Sequence, residues 1–282
     1  MLVKSYLPPA LFEGKTVFVT GGGSGINLGV ARNFAALGAH IAICGRTQEK
    51  LDHAAEELRS LNAAAGGKVW AQRADVRDYA ALETAFASVR AELGAIDVLI
   101  CGAAGNFVCP AENLTPNGFK TVIDIDLLGA FNAARAAFAQ LSETRGSIIF
   151  ISAGQAFMPY AYQLHVGAAK AGIDNMMRNL ALEWGRHGIR CNSIVPGPIE
   201  NTEGMKRLGN PALEEKFKRS IPLRRYGSVD DIGQAAVFLA SPLAAYISGT
   251  VLVVDGGQNL AGSALFNLSI EQMVKSAPAA EK

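Results

Sequence analysis

Residues 16–26 read TVFVTGGGSGI: a short apolar run ends on Thr20 and passes directly into a glycine-rich turn. A continuous run of β-branched and aromatic residues of that length reads as a strand covered on both faces. Glycines between a strand and a following helix let the backbone pass close to a pyrophosphate, which then rests on the positive helix end. A glycine-rich turn alone also fits an ordinary tight turn, so its surroundings decide. Similar runs lie at 40–44 (HIAIC), 68–72 (KVWAQ), 96–101 (IDVLIC), 147–152 (SIIFIS), 190–195 and 251–255 (VLVVD). Between them, stretches such as 48–61, 79–93 and 167–187 carry apolar residues at helical spacing. The alternation predicts a single α/β domain, a doubly wound parallel sheet of about seven strands with helices on both faces.

Composition agrees. Half of the 282 residues are hydrophobic and 18% are charged, which excludes a disordered chain. Lys and Arg number 26 against 25 Asp and Glu, a net charge of +1 without basic blocks, so no nucleic-acid partner is expected. The four cysteines show no CxxC spacing and the four histidines do not cluster, so no metal site is expected, and Cys44 and Cys101 read as buried small hydrophobes. The stretch 235–247 is interrupted by Ser241-Pro242 and is too short to span a bilayer. No secretory signal is visible, and the final Ala-Glu-Lys is not a peroxisomal address, so the expected location is cytoplasmic. Residues 1–13 read as an N-terminal extension, 14–260 as the domain, and 261–282 as a polar, Ala/Ser-rich tail whose last ten residues are loose.

Within the first turn, Gly21, Ser24, Gly25 and Ile26 are the expected nucleotide contacts, with a helix from about Asn27. Asn27 stands where such fingerprints usually carry their last glycine. Because Asn tolerates unusual backbone angles, the turn is expected to survive with a slightly displaced cofactor. After the second strand an acidic residue would accept hydrogen bonds from a ribose 2′-hydroxyl, but the chain has Gly45-Arg46-Thr47. Arg46 suits a 2′-phosphate, so the reading is NADPH rather than NADH. Asp75-Val76, after the third strand, sits where a carboxylate caps an adenine amino group, although Asp75 equally suits a helix N-cap.

TGGGSGI, Asp75-Val76, the run 101–105 (CGAAG), Lys170 and Pro196-Gly197, spread from about Lys15 to Gly257, together resemble the short-chain dehydrogenase/reductase family. The resemblance implies a Rossmann-type fold, with Ala103, Lys170, Pro196, Gly197, Ile199 and Thr202 added to the cofactor contacts. In the family's usual members a Tyr four residues before the Lys donates a proton to a carbonyl oxygen, assisted by a Ser. Here Val166 stands in the Tyr position, the Ser position falls on Ala153, beside Ser152, and Cys101-Gly102 depart from the family's usual asparagines. Tyr160 and Tyr162 are near but poorly spaced, since eight residues of helix rise roughly 12 Å. An ordinary ketone reductase is disfavoured.

The segments 105–107 (GNF), 124–129 (DIDLLG), 163–170 (QLHVGAAK), 183–185 (EWG) and 196–204 (PGPIENTEG) resemble one branch of that family, the 2,4-dienoyl-CoA reductases, peroxisomal type. The branch lacks the tyrosine and carries an Asp matched here by Asp126. The resemblance implies NADPH-dependent reduction of a conjugated dienoyl-CoA thioester to a 3-enoyl-CoA by a homotetramer. Hydride then goes to the far end of the diene and a proton to carbon, so no tyrosine aimed at a ketone oxygen is needed. Asp126, linked through water to Lys170, is the expected proton carrier; a purely structural Asp126–Lys170 pair is the competing reading. Gln163 is expected two helical turns before Lys170 on one face, with His165 beside it. Asn106 and Phe107, at the carboxyl edge of the sheet, complete the expected substrate contacts. A lid is expected at about 200–222, its Lys206, Arg207, Lys218 and Arg219 placed to meet coenzyme A phosphates or simply solvated. Another NADPH-dependent reductase of an unrelated carbonyl or enone, or a nucleotide-binding protein without activity, are the alternatives.

Overall fold

The computed structural model describes residues 7–63, 66–208, 211–261 and 264–276. Its strands are β1 (Thr16–Thr20), β2 (His40–Gly45), β3 (Val69–Arg73), β4 (Ile96–Cys101), β5 (Ser147–Ile151), β6 (Arg190–Pro196) and β7 (Val251–Val254). All pair in parallel in the order β3-β2-β1-β4-β5-β6-β7. The helices are α1 (Gly25–Ala35), α2 (Gln48–Asn62), α3 (Tyr79–Leu93), α4 (Pro116–Val122), α5 (Gly129–Thr144), α6 (Leu164–Trp184), α7 (Glu203–Leu208), α8 (Glu214–Ser220), α9 (Val229–Ala240), α10 (Gln258–Ala261) and α11 (Ala264–Ser276).

Side-chain alternation sorts the core into two layers. Val17, Val19, Ile41 and Ile43 face α1, α2 and α9 through Val30, Phe34, Leu58 and Ile232. Phe18 faces the other way, into the layer of α3, α5 and α6, where Phe86, Ala133 and Met177 meet it. Its ring lies 4.3 Å from that of Phe86. A buried side chain of this size contributes about 1.5–3 kcal/mol, so both faces of β1 stabilise the sheet. The chain order reverses between β1 and β4, and their carboxyl ends open a crevice there, the position at which such sheets bind ligands.

Several boundaries differ from the sequence reading. Helix α1 begins at Gly25, two residues before Asn27, because Gly21 and Gly25 adopt φ of 69° and 58° and complete the turn earlier. Helix α6 begins at Leu164, and Tyr162, with φ of 64°, lies outside it. The N-cap of α3 is Asp78, which accepts from the Ala81 amide, so Asp75 is not a cap. The extension is not separate from the domain over its described part: Phe12 is buried and its ring lies 4.9 Å from that of Phe34. The tail carries α11 with Ile270 buried, and of the last ten residues, expected to be loose, 273–276 belong to that helix while 277–282 lie outside the described residues. The lid region forms α7, a short turn and α8. Among the described residues no helix is long and apolar enough to cross a membrane.

Candidate active site

A cleft of about 560 Å³ runs along the carboxyl edge of the sheet and reaches from the glycine turn to the lid and α11. At one end, Thr20 ties the turn to the end of β4: its hydroxyl accepts from the amides of Gly102 and Ala103 at 3.0 and 3.2 Å. Ser24, the N-cap of α1, makes no side-chain capping bond, so the first-turn amides have no side chain spent on them. Such donors at a positive helix end suit an anion. Gly21, Ser24, Gly25, Ile26, Arg46, Asp75, Val76, Ala103, Pro196, Gly197, Ile199 and Thr202 all line the cleft. Arg46 is exposed at its rim, near enough to Asp75 for its charge to help lower that carboxyl. Asp75 takes a bidentate bond from Arg77 (Nη2 to Oδ2 2.6 Å), and that guanidinium holds its carboxyl below the usual range. The Thr202 hydroxyl donates to the Ile199 carbonyl at 2.8 Å and accepts from the Met205 amide, which secures the loop.

At the other end, Lys170 and Asp126 meet directly. Nζ lies 3.1 Å from Oδ2, and both side chains are nearly removed from water, at 7% and 0% exposure. No bridging water is needed to join them. Lys170 also donates to the Ile151 carbonyl at 3.0 Å, and Asp126 Oδ1 accepts from the Gly105 amide at 2.7 Å. Asp126 is carried on a π-helical segment, Ile123–Leu128, wedged between α4 and α5. Such one-turn bulges recur at functional sites because they re-aim side chains. Val166, four residues before Lys170 on α6, is buried and lines the cleft as an apolar wall.

The four expected substrate residues divide. Asn106 lines the cleft, but Phe107, Gln163 and His165 do not. Gln163 precedes α6 instead of sharing a helical face with Lys170. It accepts from Gln155 Nε2 at 2.5 Å and donates to Asn106 Oδ1 at 3.1 Å, forming a chain of amides behind the cleft. His165 is fully buried, its ring 4.2 Å from that of Phe107 and its Nε2 3.1 Å from the Phe107 carbonyl oxygen. Burial lowers its pKa. These three position the loop that carries Asn106.

Some cleft residues left little or no mark in the sequence. Lys50 joins Arg46 at the rim, while Gln155, Tyr160 and Met158 line the far wall. Tyr160 packs against Phe266 of α11 at 4.8 Å, and burial pushes its phenol up to about 12. Tyr162 lies on a separate small pocket beside Cys109. Of the lid cations, Lys216 lines the cleft, whereas Lys218 pairs with Glu214 at 2.8 Å. The side chains of Lys206 and Arg207 lie outside the described residues. Cys44, Cys101 and Cys191 are buried and free, and burial raises each thiol, that of Cys44 to about 12. Among the described residues no group of His, Cys, Asp and Glu is placed to hold a metal ion.

Comparison with known proteins adds the following. Residues 21–259 match the model of the enoyl-(acyl carrier protein) reductase family. The peroxisomal 2,4-dienoyl-CoA reductase of Saccharomyces cerevisiae, which produces (3E)-enoyl-CoA, is 47% identical over 249 residues, covering 88% of this chain and 85% of the relative. The peroxisomal enzyme of the same name from Rattus norvegicus is 45% identical over 251 residues, with the same two coverages, 88% and 85%. Among solved structures, a gluconate 5-dehydrogenase from Burkholderia cenocepacia in complex with NADP and tartrate superposes with a TM-score of 0.82. It is 29% identical, covering 89% of this chain and 98% of that one.

The amide chain generates a test of the site's internal support. Gln163→Leu leaves the partners on Gln155 and Asn106 without their bonds. It should therefore destabilise the fold by about 1–3 kcal/mol in urea denaturation. An unchanged unfolding midpoint would show that the chain does not support the loop.

Proposed function

The chain belongs to the short-chain dehydrogenase/reductase family, and we propose that it works there as an NADPH-dependent reductase of 2,4-dienoyl-CoA thioesters, yielding 3-enoyl-CoA in the breakdown of unsaturated fatty acids. The observation that carries the reading is the buried Asp126–Lys170 pair opening on the cleft beside Val166. A phenol-dependent carbonyl reduction has no donor at Val166. Reduction of a conjugated double bond needs none there, because its proton goes to carbon.

The residues present suit a phosphorylated dinucleotide: uncapped α1 amides for the diphosphate, and Arg46 with Lys50 for a 2′-phosphate. When bound, NADPH supplies a hydride to the far end of the diene. Lys170, fixed by Ile151 and Asp126, orients the nicotinamide-side ribose and keeps a positive charge near the thioester. Gly105 secures Oδ1 of Asp126 and Lys170 faces Oδ2, so the carboxylate and the lysine are held together at the cleft wall as the pair through which a proton passes to the carbon that receives it. Asn106 bounds the same space, and Lys216 on the lid stands where a coenzyme A phosphate would approach.

A homotetramer is part of the proposal. The edge strand β7 is half-exposed along its length, and nearby Leu243 and Tyr246 stand out at 70% and 104% exposure. Leu128 and Phe131 form a second exposed apolar pair at the start of α5. Unpaired edge strands and apolar patches of this kind are what symmetric self-association covers. Light scattering should return four times the mass of the chain, and a monomeric mass counts against it.

Steady-state assays test the activity. The protein should oxidise NADPH with a 2,4-dienoyl-CoA and not with a simple ketone. Asp126→Asn should lower kcat at least ~100-fold, the usual worth of a general acid, and Tyr160→Phe or Tyr162→Phe far less. A dead tyrosine variant beside a near-normal Asp126→Asn would return the reaction to the ketone reductases. For cofactor choice, Arg46→Ala should weaken NADPH binding at least about tenfold, a loss of roughly 1.4 kcal/mol, and leave NADH nearly unchanged. Tighter binding of NADH by the parent protein would overturn that assignment.

A further inference from the structure

Asn27, at a position where the fingerprint suggested glycine, fills a space that a second residue leaves open. Its Nδ2 donates to the Gly102 carbonyl at 2.8 Å and to the Gly21 carbonyl at 3.3 Å. One amide thus spans the glycine turn after β1 and the end of β4. A Cβ on Gly102 would fall 2.0 Å from Asn27 Oδ1 and 2.5 Å from its Cγ, inside the carboxamide itself. A Cβ on Gly21 would fall 2.9 Å from Nδ2. The amide orientation follows from its neighbours, because the reverse placement would set oxygen against two carbonyl oxygens. Oδ1 is buried without a hydrogen-bond partner, so the donating end and close packing hold the group. Such a buried polar atom costs stability and calls for an explanation.

We propose that Asn27 and Gly102 act as one matched unit, with Asn27 a positioning residue for the dinucleotide turn. Resting on the nucleotide-site reading above, this gives the carboxamide a defined task. It fastens the turn to the end of β4 and so sets the aim of the uncapped α1 amides relative to Ala103, which lies against Gly21. The sequence shows Asn27 and Gly102 as two unrelated departures from pattern. The geometry makes each the condition of the other: Gly102 is needed because Asn27 is present, and Asn27 closes the gap that Gly102 leaves.

Four full-length proteins test the coupling: the parent, Gly102→Ala, Asn27→Gly, and the double variant. NADPH titration by fluorescence should show Gly102→Ala weakening binding at least about tenfold in the parent, a loss of roughly 1.4 kcal/mol. In the Asn27→Gly background the same change should cost under about twofold, the signature of coupled neighbours. Asn27→Asp keeps the shape, removes both donated bonds and adds a negative charge beside a diphosphate. It should weaken NADPH at least about tenfold as well, and the loss should fall on the cofactor KM more than on kcat. Equal cost of Gly102→Ala in both backgrounds, or parent-like binding by Asn27→Asp, would overturn the proposal. If Gly102→Ala alone does not fold while the double variant does, that rescue supports the unit; failure of both overturns it. Should the parent bind neither NADPH nor NADH, the nucleotide reading fails. The melting temperatures of the same proteins without nucleotide then still show whether the two positions are coupled.

Discussion

A lysine and an aspartate, both almost withdrawn from water, face each other across 3.1 Å at the centre of the cleft. Burying two charges costs several kcal/mol per ion, and their attraction offsets this only with good geometry and further hydrogen bonds. The surrounding fold supplies two such bonds and the segment that aims the carboxylate. The end of β5 offers the Ile151 carbonyl to Lys170, the strand-to-loop segment after β4 offers the Gly105 amide to Asp126, and the π-helical turn brings Asp126 inward. These elements converge only because a parallel sheet puts the carboxyl ends of β4 and β5 side by side. The parallel order thus makes a buried pair tolerable, and the proposed chemistry rests on that pair.

Support behind the cleft follows the same logic of satisfying polar groups. Gln155, Gln163 and Asn106 hand hydrogen bonds along a row, and His165 braces the next residue, Phe107, through its backbone oxygen and ring. A loop at a sheet edge has no ladder to hold it. Here four side chains take that role, and two of them, Gln155 and Asn106, also line the cleft.

The strands were legible because being covered on two faces demands unbroken apolar runs, and 16–20 and 96–101 have the same limits in sequence and structure. The cofactor end was legible for a related reason, since glycine between strand and helix has few other uses. The substrate end was less so. Helical spacing placed Gln163 on the face of Lys170, but the backbone turns out of the helix at that residue, with φ of −131° and ψ of 33°. No local pattern marks a π-helical turn, so the inward aim of Asp126 came from resemblance rather than periodicity. Helix α11 was obscured by its small and polar residues, and its place on the cleft depends on tertiary partners such as Tyr160. Asn27 and Gly102 each looked like an isolated irregularity, because their fit exists only once β1 and β4 are adjacent.

The π-helical turn has a consequence for how this site arose and how readily it is lost. Such a turn is an α-helix with one residue too many, and each residue of helix turns the side chain by about 100°. Loss of a single residue between Val122 and Asp126 would relax the segment into ordinary helix and leave the flanking α4 and α5 intact, yet swing the carboxylate off the cleft. On the proposed mechanism, the carboxylate that carries the proton is in evolutionary terms an insertion-dependent trait. A three-nucleotide deletion, which spares the reading frame and the fold, would be enough to turn a reductase into a protein that only binds nucleotide.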